Sequence, residues 1–577
     1  MQQHSNLQIF LIVLLVYFLA CGPILLRPAN AAPAPAGQPP DAACDHLPDP
    51  LGQANGMEKR CPVRPSSSGI ARADFNGDGF ADLAIGLPYQ AVGGFSGAGA
   101  VNVIYGSQNG LVAGSAGTPA PQEWTPTNTD ARTFGADPTG ANFGWALAAG
   151  DFNGDGYSDL AILVPHLSEL FLFQSLTFSD IIVLYGSPNG LSNTDPSPNR
   201  QEQEFSVCDS GTTGGLAWGD FDRDGFGDIA VGCTDTNAVV VLHGTNSGRF
   251  NLSGGVPALP AFFKGTLGQV LAAGDFNGDG YTDLAIGVPD ADLLDTSNFL
   301  QCLVACPVKL AGVGLIMVLY SNGFQPDATL PQIWYQGANA ICCHLEANAH
   351  FGAALAPDDF NGDGKQDLAV GIPNASVGGV AGAGAAVVIY GSSAGLAPGG
   401  NQIWNENDFG TPAQPGNRFS TALAAGDFNG DGRADLAIGI PFEPASGLKD
   451  SGQVDVVYGS ASGLSVSAHA AQLWHQGGSV LGAPQVSGHF GASLSAWNFG
   501  HNEFTFSLAG GLVIHPTADL AVGAPGYTVS GIAGAGVINV LYGSIFTNVL
   551  TSSNNQLFTQ GSLGFGTSAD HFGYTMY

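Results

Sequence analysis

Asp74-Phe-Asn76-Gly-Asp78-Gly-Phe80-Ala-Asp82, running directly into Leu83-Ala-Ile-Gly86, is the stretch that decides the fold, because the chain writes it six times. The acidic loop returns at 151–159, 220–228, 275–283, 359–367 and 427–435, and each copy leads into a short apolar segment: Leu160-Ala-Ile-Leu163, Ile229-Ala-Val-Gly232, Leu284-Ala-Ile-Gly287, Leu368-Ala-Val-Gly371 and Leu436-Ala-Ile-Gly439. A seventh segment of this kind, Asp519-Leu-Ala-Val-Gly523, follows Asn498-Phe-Gly-His-Asn-Glu-Phe504 instead of an acidic loop. One unit is therefore repeated seven times, and six copies keep the loop.

The loop has the composition of a calcium site. Calcium takes six to eight oxygens from carboxylates, amides and main-chain carbonyls. Positions 1, 3, 5 and 9 of a tight loop converge their side chains, and position 7 adds its carbonyl. The side-chain donors are then Asp74, Asn76, Asp78 and Asp82; Asp151, Asn153, Asp155 and Asp159; Asp220, Asp222, Asp224 and Asp228; Asp275, Asn277, Asp279 and Asp283; Asp359, Asn361, Asp363 and Asp367; and Asp427, Asn429, Asp431 and Asp435. The carbonyls are those of Phe80, Tyr157, Phe226, Tyr281, Lys365 and Arg433. Gly77 and Gly79 allow the positive φ that wraps the backbone round an ion. The flanks read as strands and no Glu stands at position 12, so this is not an EF-hand loop. Asn-Gly and Asp-Gly turns alone do not explain three carboxylates per loop, which would repel one another without a cation. About six calcium ions are expected, with the third loop distinguished by a fourth carboxylate, Asp222, and none in the seventh unit.

Other motifs repeat with the loop. A Phe-Gly pair lies upstream (Phe143-Gly144, Phe351-Gly352, Phe490-Gly491, with Phe419-Ser420 as a variant). Downstream, a Gly/Ala-rich turn leads to a strand ending in Tyr-Gly-Ser, as at Tyr105–Ser107, and then to Gln-x-Trp, as in Gln122/Trp124, Gln332/Trp334, Gln402/Trp404 and Gln472/Trp474. Four short strands per unit, bounded by Gly-rich turns and with little that reads as helix, predict an all-β seven-bladed β-propeller of four-stranded blades. The repeat aspartates at 82, 159, 228, 283, 367, 435 and 519 are spaced unevenly, which implies loops of variable length on a common frame.

With the Gly86-Leu-Pro88, Gly287-Val-Pro289, Gly371-Ile-Pro373, Gly439-Ile-Pro441 and Gly523-Ala-Pro525 segments, the chain resembles the FG-GAP repeat proteins typified by the integrin α-subunit head. Its Tyr-Gly-Ser-x-x-Gly-Leu variant, as in Tyr105–Leu111, is more similar to bacterial secreted members. The resemblance implies that the acidic loops join the first and second strands of each blade on one face. It also suggests that the C-terminal His571-Phe-Gly-Tyr-Thr-Met-Tyr577 closes the ring by pairing with the first blade.

The chain has 577 residues, 45% hydrophobic and 11% charged, with 85 Gly, which fits a turn-rich β protein. Its formal charge of −32 argues against nucleic-acid binding. Five loops contribute three Asp each and the third four, 19 of the 47 acids, so the acidity is largely that of the proposed metal sites. The apolar run 9–26 followed by Ala29-Asn-Ala31 predicts an export signal over 1–31, with an uncleaved anchor and lipidation at Cys21 as alternatives. A Pro/Ala-rich segment spans 32–67, and the propeller spans 68–577. All three alternatives place it secreted or at the cell surface. Eight further cysteines suit an oxidising compartment: Cys44–Cys61 and Cys208–Cys233 are expected pairs, the latter within blade three, and Cys302, Cys306, Cys342 and Cys343 are expected to pair among themselves, with a metal site as their alternative. Asn251-Leu-Ser and Asn374-Ala-Ser are glycosylation sequons.

No nucleophile elbow, zinc-protease helix or phosphate loop is present. His243, His350, His489 and His571 fall on strand or Phe-Gly positions and are assigned structural roles. Related propellers are sometimes appended to catalytic domains, but 32–67 is too short for one, so no enzymatic activity is expected. The expected function is recognition or adhesion toward an extracellular protein or glycan, with a structural envelope or matrix protein and a hydrolase-associated propeller as alternatives. Long loops at His166–Asp180 and Asp290–Val313 carry the candidate contact residues Phe171, Phe173, Phe178 and Phe299.

Overall fold

The structure is a computed structural model describing residues 73–577 apart from 115–117, 130–137, 172–173, 194–202, 209–213, 246–249, 253–258, 260–262, 295–307, 322–325, 327–330, 339–344, 468, 507–511 and 567. The export segment, the 32–67 linker, Phe173, Phe299 and all cysteines except Cys208 and Cys233 lie outside the described residues.

Seven four-stranded antiparallel sheets succeed one another along the chain. Blade five shows the plan: Leu355–Asp358, Asp367–Ile372, Ala385–Ile389 and Gln402–Trp404, each paired with the next. The second strand of every blade is the apolar segment that follows the loop. It is buried along its length up to the end of the motif because both of its faces pack against neighbouring blades, which is why it reads as continuous Leu, Ala, Ile and Gly rather than as an alternation. Apolar clusters lie between adjacent blades. One joins Val101 and Val103 of blade one to Ile162 and Leu184 of blade two. Another joins Ile538 and Val540 of blade seven to Ile85 and Ile104 of blade one, so the seven sheets close on themselves as a propeller.

The motifs acquire physical reasons at these seams. A Cβ on Gly86 would stand 2.1 Å from the carbonyl oxygen of Gly144, the Gly of the next unit's Phe-Gly pair, so close passage of the two backbones requires glycine there. The tyrosines that end the third strands and the glutamines of the fourth strands form a lock between blades, in most cases through the Tyr-Gly-Ser and Gln-x-Trp motifs. The hydroxyl of Tyr320 donates to Gln332 Oε1 and accepts from Leu396 N–H of the next blade (2.7 Å), while Gln332 Nε2 donates to the Leu396 carbonyl (2.8 Å). Tyr105/Gln122 hold Leu191 in this way, Tyr390/Gln402 hold Leu464, Tyr458/Gln472 hold Leu550, and Tyr542/Gln556 hold Leu111.

The C-terminus supplies the innermost strand of blade one: Met576 pairs with Ile85 and Thr575 with Gly86. The expected long loop in blade two is instead a hairpin, because the strands themselves run on as Asp159–Phe171 and Gln174–Leu184, with a register shift between Val164 and Leu167. Phe171 and Phe178 lie on this extension. The insertion of blade four contributes Asp292–Leu294 and Val308–Leu310 to a small sheet with Phe263–Lys264, which precedes the blade. Cys208 and Cys233 are bonded, with 5.6 Å between Cα atoms, but they link the outer strand of blade two to the second strand of blade three, not two strands of one blade.

Candidate metal centre

Five acidic loops connect the innermost strand of their blade to the second, and the first leads into the second strand of blade one, whose innermost strand comes from the C-terminus, so all six lie at the same end of the sheets. In the first loop, Asp74 Oδ1 accepts from Gly77 N–H (2.7 Å) and Asp78 N–H (3.1 Å), and Oδ2 accepts from Gly79 N–H (2.9 Å). Asn76 Oδ1 accepts from Asp78 N–H, and Asp78 Oδ1 from Phe80 N–H. The same pattern recurs in the second, fourth, fifth and sixth loops around Asp151, Asp275, Asp359 and Asp427. Gly77 and Gly79 hold φ of 71° and 93°. Gly77 has a further reason to be glycine: its missing Cβ would meet the ring of Tyr157, the seventh-position residue of the next loop, at 2.5 Å. Tyr157, Phe226, Lys365 and Arg433 thus each cover the preceding loop or its neighbourhood, and Lys365 and Arg433 also pair with their own Asp363 (3.5 Å) and Asp431 (3.7 Å).

The ninth-position aspartates have a second role. Asp82, Asp159, Asp228, Asp283, Asp367 and Asp435 are fully buried. Asp82 Oδ2 accepts from Phe75 N–H (2.7 Å) and Oδ1 from Gly106 N–H (2.8 Å), tying the loop to the turn after the third strand. The seventh unit keeps this tie without the loop: Asp519 accepts from Phe499, Gly500 and Gly543 N–H. What that unit has lost are the carboxylates and amide of positions 1, 3 and 5. A hairpin of Glu503–Phe506 and Leu512–His515 lies between its first two strands.

Electrostatics separates the two sets of groups. Burial and the neighbouring carboxylates push Asp74 up to about 6, Asp220 to about 7, and Asp283 and Asp367 to about 8; Asp82, Asp159 and Asp435 are raised well above the ordinary range. Buried carboxylates set against one another are the donor set that a hard divalent cation relieves, so the residues present fit such an ion.

The third loop is different. Arg223 replaces the fourth-position glycine at φ 59°, and its guanidinium reaches Asp279 O (3.5 Å) and the Tyr281 ring (5.4 Å) of the fourth loop. His243, assigned a structural role from sequence, places Nδ1 3.2 Å from Asp228 Oδ2 and 3.5 Å from Asp222 Oδ2. Sequence reasoning missed this because His243 stands 15 positions beyond the loop. The signal was there: six blades end this strand with Tyr and one with His.

An FG-GAP repeat model matches residues 68–104, 143–167, 351–389 and 419–457, and an FG-GAP-like repeat model matches 220–286. The chain is 34% identical over 196 residues to phosphatidylinositol-glycan-specific phospholipase D of Rattus norvegicus, covering 33% of this chain and 20% of that protein. It is 27% identical over 266 residues to integrin alpha-PS2 of Drosophila melanogaster, covering 43% of this chain and 17% of that protein. To integrin alpha-IIb of Mus musculus it is 32% identical over 175 residues, 30% of this chain and 14% of that protein. The chain thus spans about a fifth or less of the length of these relatives. The expectation that the chain is not an enzyme is contradicted by the phospholipase D relatives, which are enzymes by name and match a third of this chain. From the matched repeats and the seven sheets built on them, the chain carries FG-GAP repeats within an all-β propeller.

Proposed function

We propose that this chain is a calcium-loaded propeller acting outside the cytoplasm as a recognition or adhesion module for a protein or glycan, with an ion in each of the six acidic loops. The comparison among its own seven units carries the metal reading. The unit without positions 1, 3 and 5 keeps the buried Asp519 and the strand, so the fold does not need those three groups, while six units keep them at the cost of clustered charge. The Cys208–Cys233 bond supports an oxidising compartment.

Recognition is best supported at the end of the sheets opposite the acidic loops. A cleft there is lined by Tyr89, His489, Pro525, Gly526, Ala569, His571 and Tyr574. Tyr89 and Tyr574 are 43% and 40% exposed with ring centroids 5.6 Å apart, a rigid amphipathic pair of the kind that binds protein or sugar. The blade-two hairpin bearing Phe171 and Phe178 projects at the same end, and Phe173 and Phe299 complete the proposed contact set. The test is an array of glycans and extracellular proteins probed in calcium and again in chelator. Saturable binding lost in Tyr89→Ala/Tyr574→Ala is the expected result. A blank from folded, calcium-loaded protein would favour a structural envelope or matrix role.

A second reading follows from the phospholipase D similarity: a propeller associated with hydrolysis of phosphatidylinositol-glycan anchors. Release of an anchored reporter by the purified chain, alone or with a catalytic partner, would support it; no release in either arrangement would remove it.

A further inference from the structure

The third loop departs from the other five in ways that bear on which ion it takes. Asp222 stands where they have Asn, and His243 ends the third strand of blade three where the six other blades have Tyr. In five of those blades the Tyr hydroxyl reaches out to the next blade; an imidazole has no such hydroxyl, and here it meets the loop instead. His243 is about nine-tenths buried, and neither ring nitrogen has a hydrogen-bond partner of good geometry. Nδ1 lies 3.2 Å from Asp228 Oδ2 and 3.5 Å from Asp222 Oδ2, and one ligand atom from each of these three residues falls within 4.8 Å of the others. A second trio, Asp220, Asp222 and Asp224, shares Asp222. Two donors held about 2.1 Å from a tetrahedral ion stand about 3.4 Å apart, which matches these separations. Calcium in an oxygen cage tolerates similar spacings, so the spacing does not choose the ion. The nitrogen does: calcium takes oxygen donors, whereas imidazole with carboxylate suits zinc and its neighbours.

We propose that blade three holds a mixed nitrogen–oxygen site in which Asp222, Asp228 and His243 bind a borderline divalent ion of the zinc class in preference to calcium. Asp228 is oriented for this by Phe221 N–H (2.8 Å) on Oδ2 and Gly244 N–H (3.0 Å) on Oδ1, and Asp222 by Asp224 N–H (3.2 Å) on Oδ1. The proposal extends the reading of the loops as cation sites, and one experiment separates the two.

Chelator-stripped full-length protein is dialysed against excess calcium with a low concentration of zinc, and both metals are counted by mass spectrometry. The expected result is one tightly held zinc per chain beside calcium in the other loops. His243→Tyr, which restores the residue of the other blades, and Asp222→Asn, which restores the residue of the other loops, should each weaken zinc retention by more than about tenfold, with the circular dichroism spectrum unchanged. Full zinc retention in both variants, or none in wild type with calcium present, overturns the proposal and leaves the calcium reading standing. Zinc without calcium would instead sink the reading of the other five loops. If the variants misfold, cobalt added to wild type in excess calcium decides: tetrahedral coordination gives strong visible absorption, and its absence overturns the proposal.

Discussion

At the residue scale, position nine of the loop serves the fold and, on the metal loading proposed above, the ion as well, whereas positions one, three and five are left to the ion. Asp519, buried and bonded to three N–H groups with no loop beside it, isolates the first duty. Asp519→Ala should therefore cost about 1–3 kcal/mol in urea denaturation regardless of calcium, because buried donors lose their acceptor. Asp155→Asn in the second loop should remove a calcium-dependent increment of stability and leave the chelated protein almost unchanged. Proton linkage gives a further expectation. The raised carboxyls of Asp74, Asp220, Asp283 and Asp367 titrate higher in the fold than in the unfolded chain, so the metal-free fold binds more protons. Its stability should be greatest near pH 4 and fall as pH rises through the range of about 6 to 8. Calcium, which favours the ionised form, should flatten that fall. Glu406 and Asp455, pushed up by burial to about 7 and 8 away from the loops, contribute the same slope with or without calcium, so the difference between the two melting curves belongs to the loops.

At the element scale, the blades are joined by apolar cores and by the Tyr–Gln–Leu lock. Tyr390→Phe leaves Gln402 Oε1 and Leu464 N–H without their partner and should cost about 1–3 kcal/mol in denaturant titration. The repeated Tyr and Gln were visible in the sequence, but their purpose was not, because each pair meets a leucine of the following unit, 62 to 78 residues away in four of the five locks described with Gln. The strand count was legible from the apolar segments and Gly-rich turns, since a doubly buried strand has a composition that turns and hairpins do not share. The blade-two insertion reads in sequence as a long loop of contact residues, whereas the strand pairing of Leu167 with Phe178 and Glu169 with Leu176 rests on main-chain register that composition does not reveal. Cys208–Cys233 was legible as a pair but not as a link between blades. Cys208→Ser should cost about 2–4 kcal/mol against the oxidised wild type, the entropy of opening a loop of 25 residues, and should match the reduced wild type in denaturant titration.

At the scale of the whole molecule, closure and metal loading are the two features on which the account rests. The ring closes through Thr575 and Met576 on Ile85 and Gly86, and the loops stack so that one loop's seventh residue covers the glycine of the loop before it. The loop sequence points to a hard cation because carboxylates repeated at fixed positions have few other uses. The cleft proposed for recognition was not legible in the sequence, since Tyr89, His489 and Tyr574 are brought together only when the last unit meets the first. The most direct measurement is a calcium titration of chelator-stripped protein with bound ion and melting temperature followed together. The account predicts about six ions per chain, or five when zinc fills the third loop, and a melting temperature that climbs with occupancy. An unchanged melt in excess EDTA with no calcium bound would contradict it.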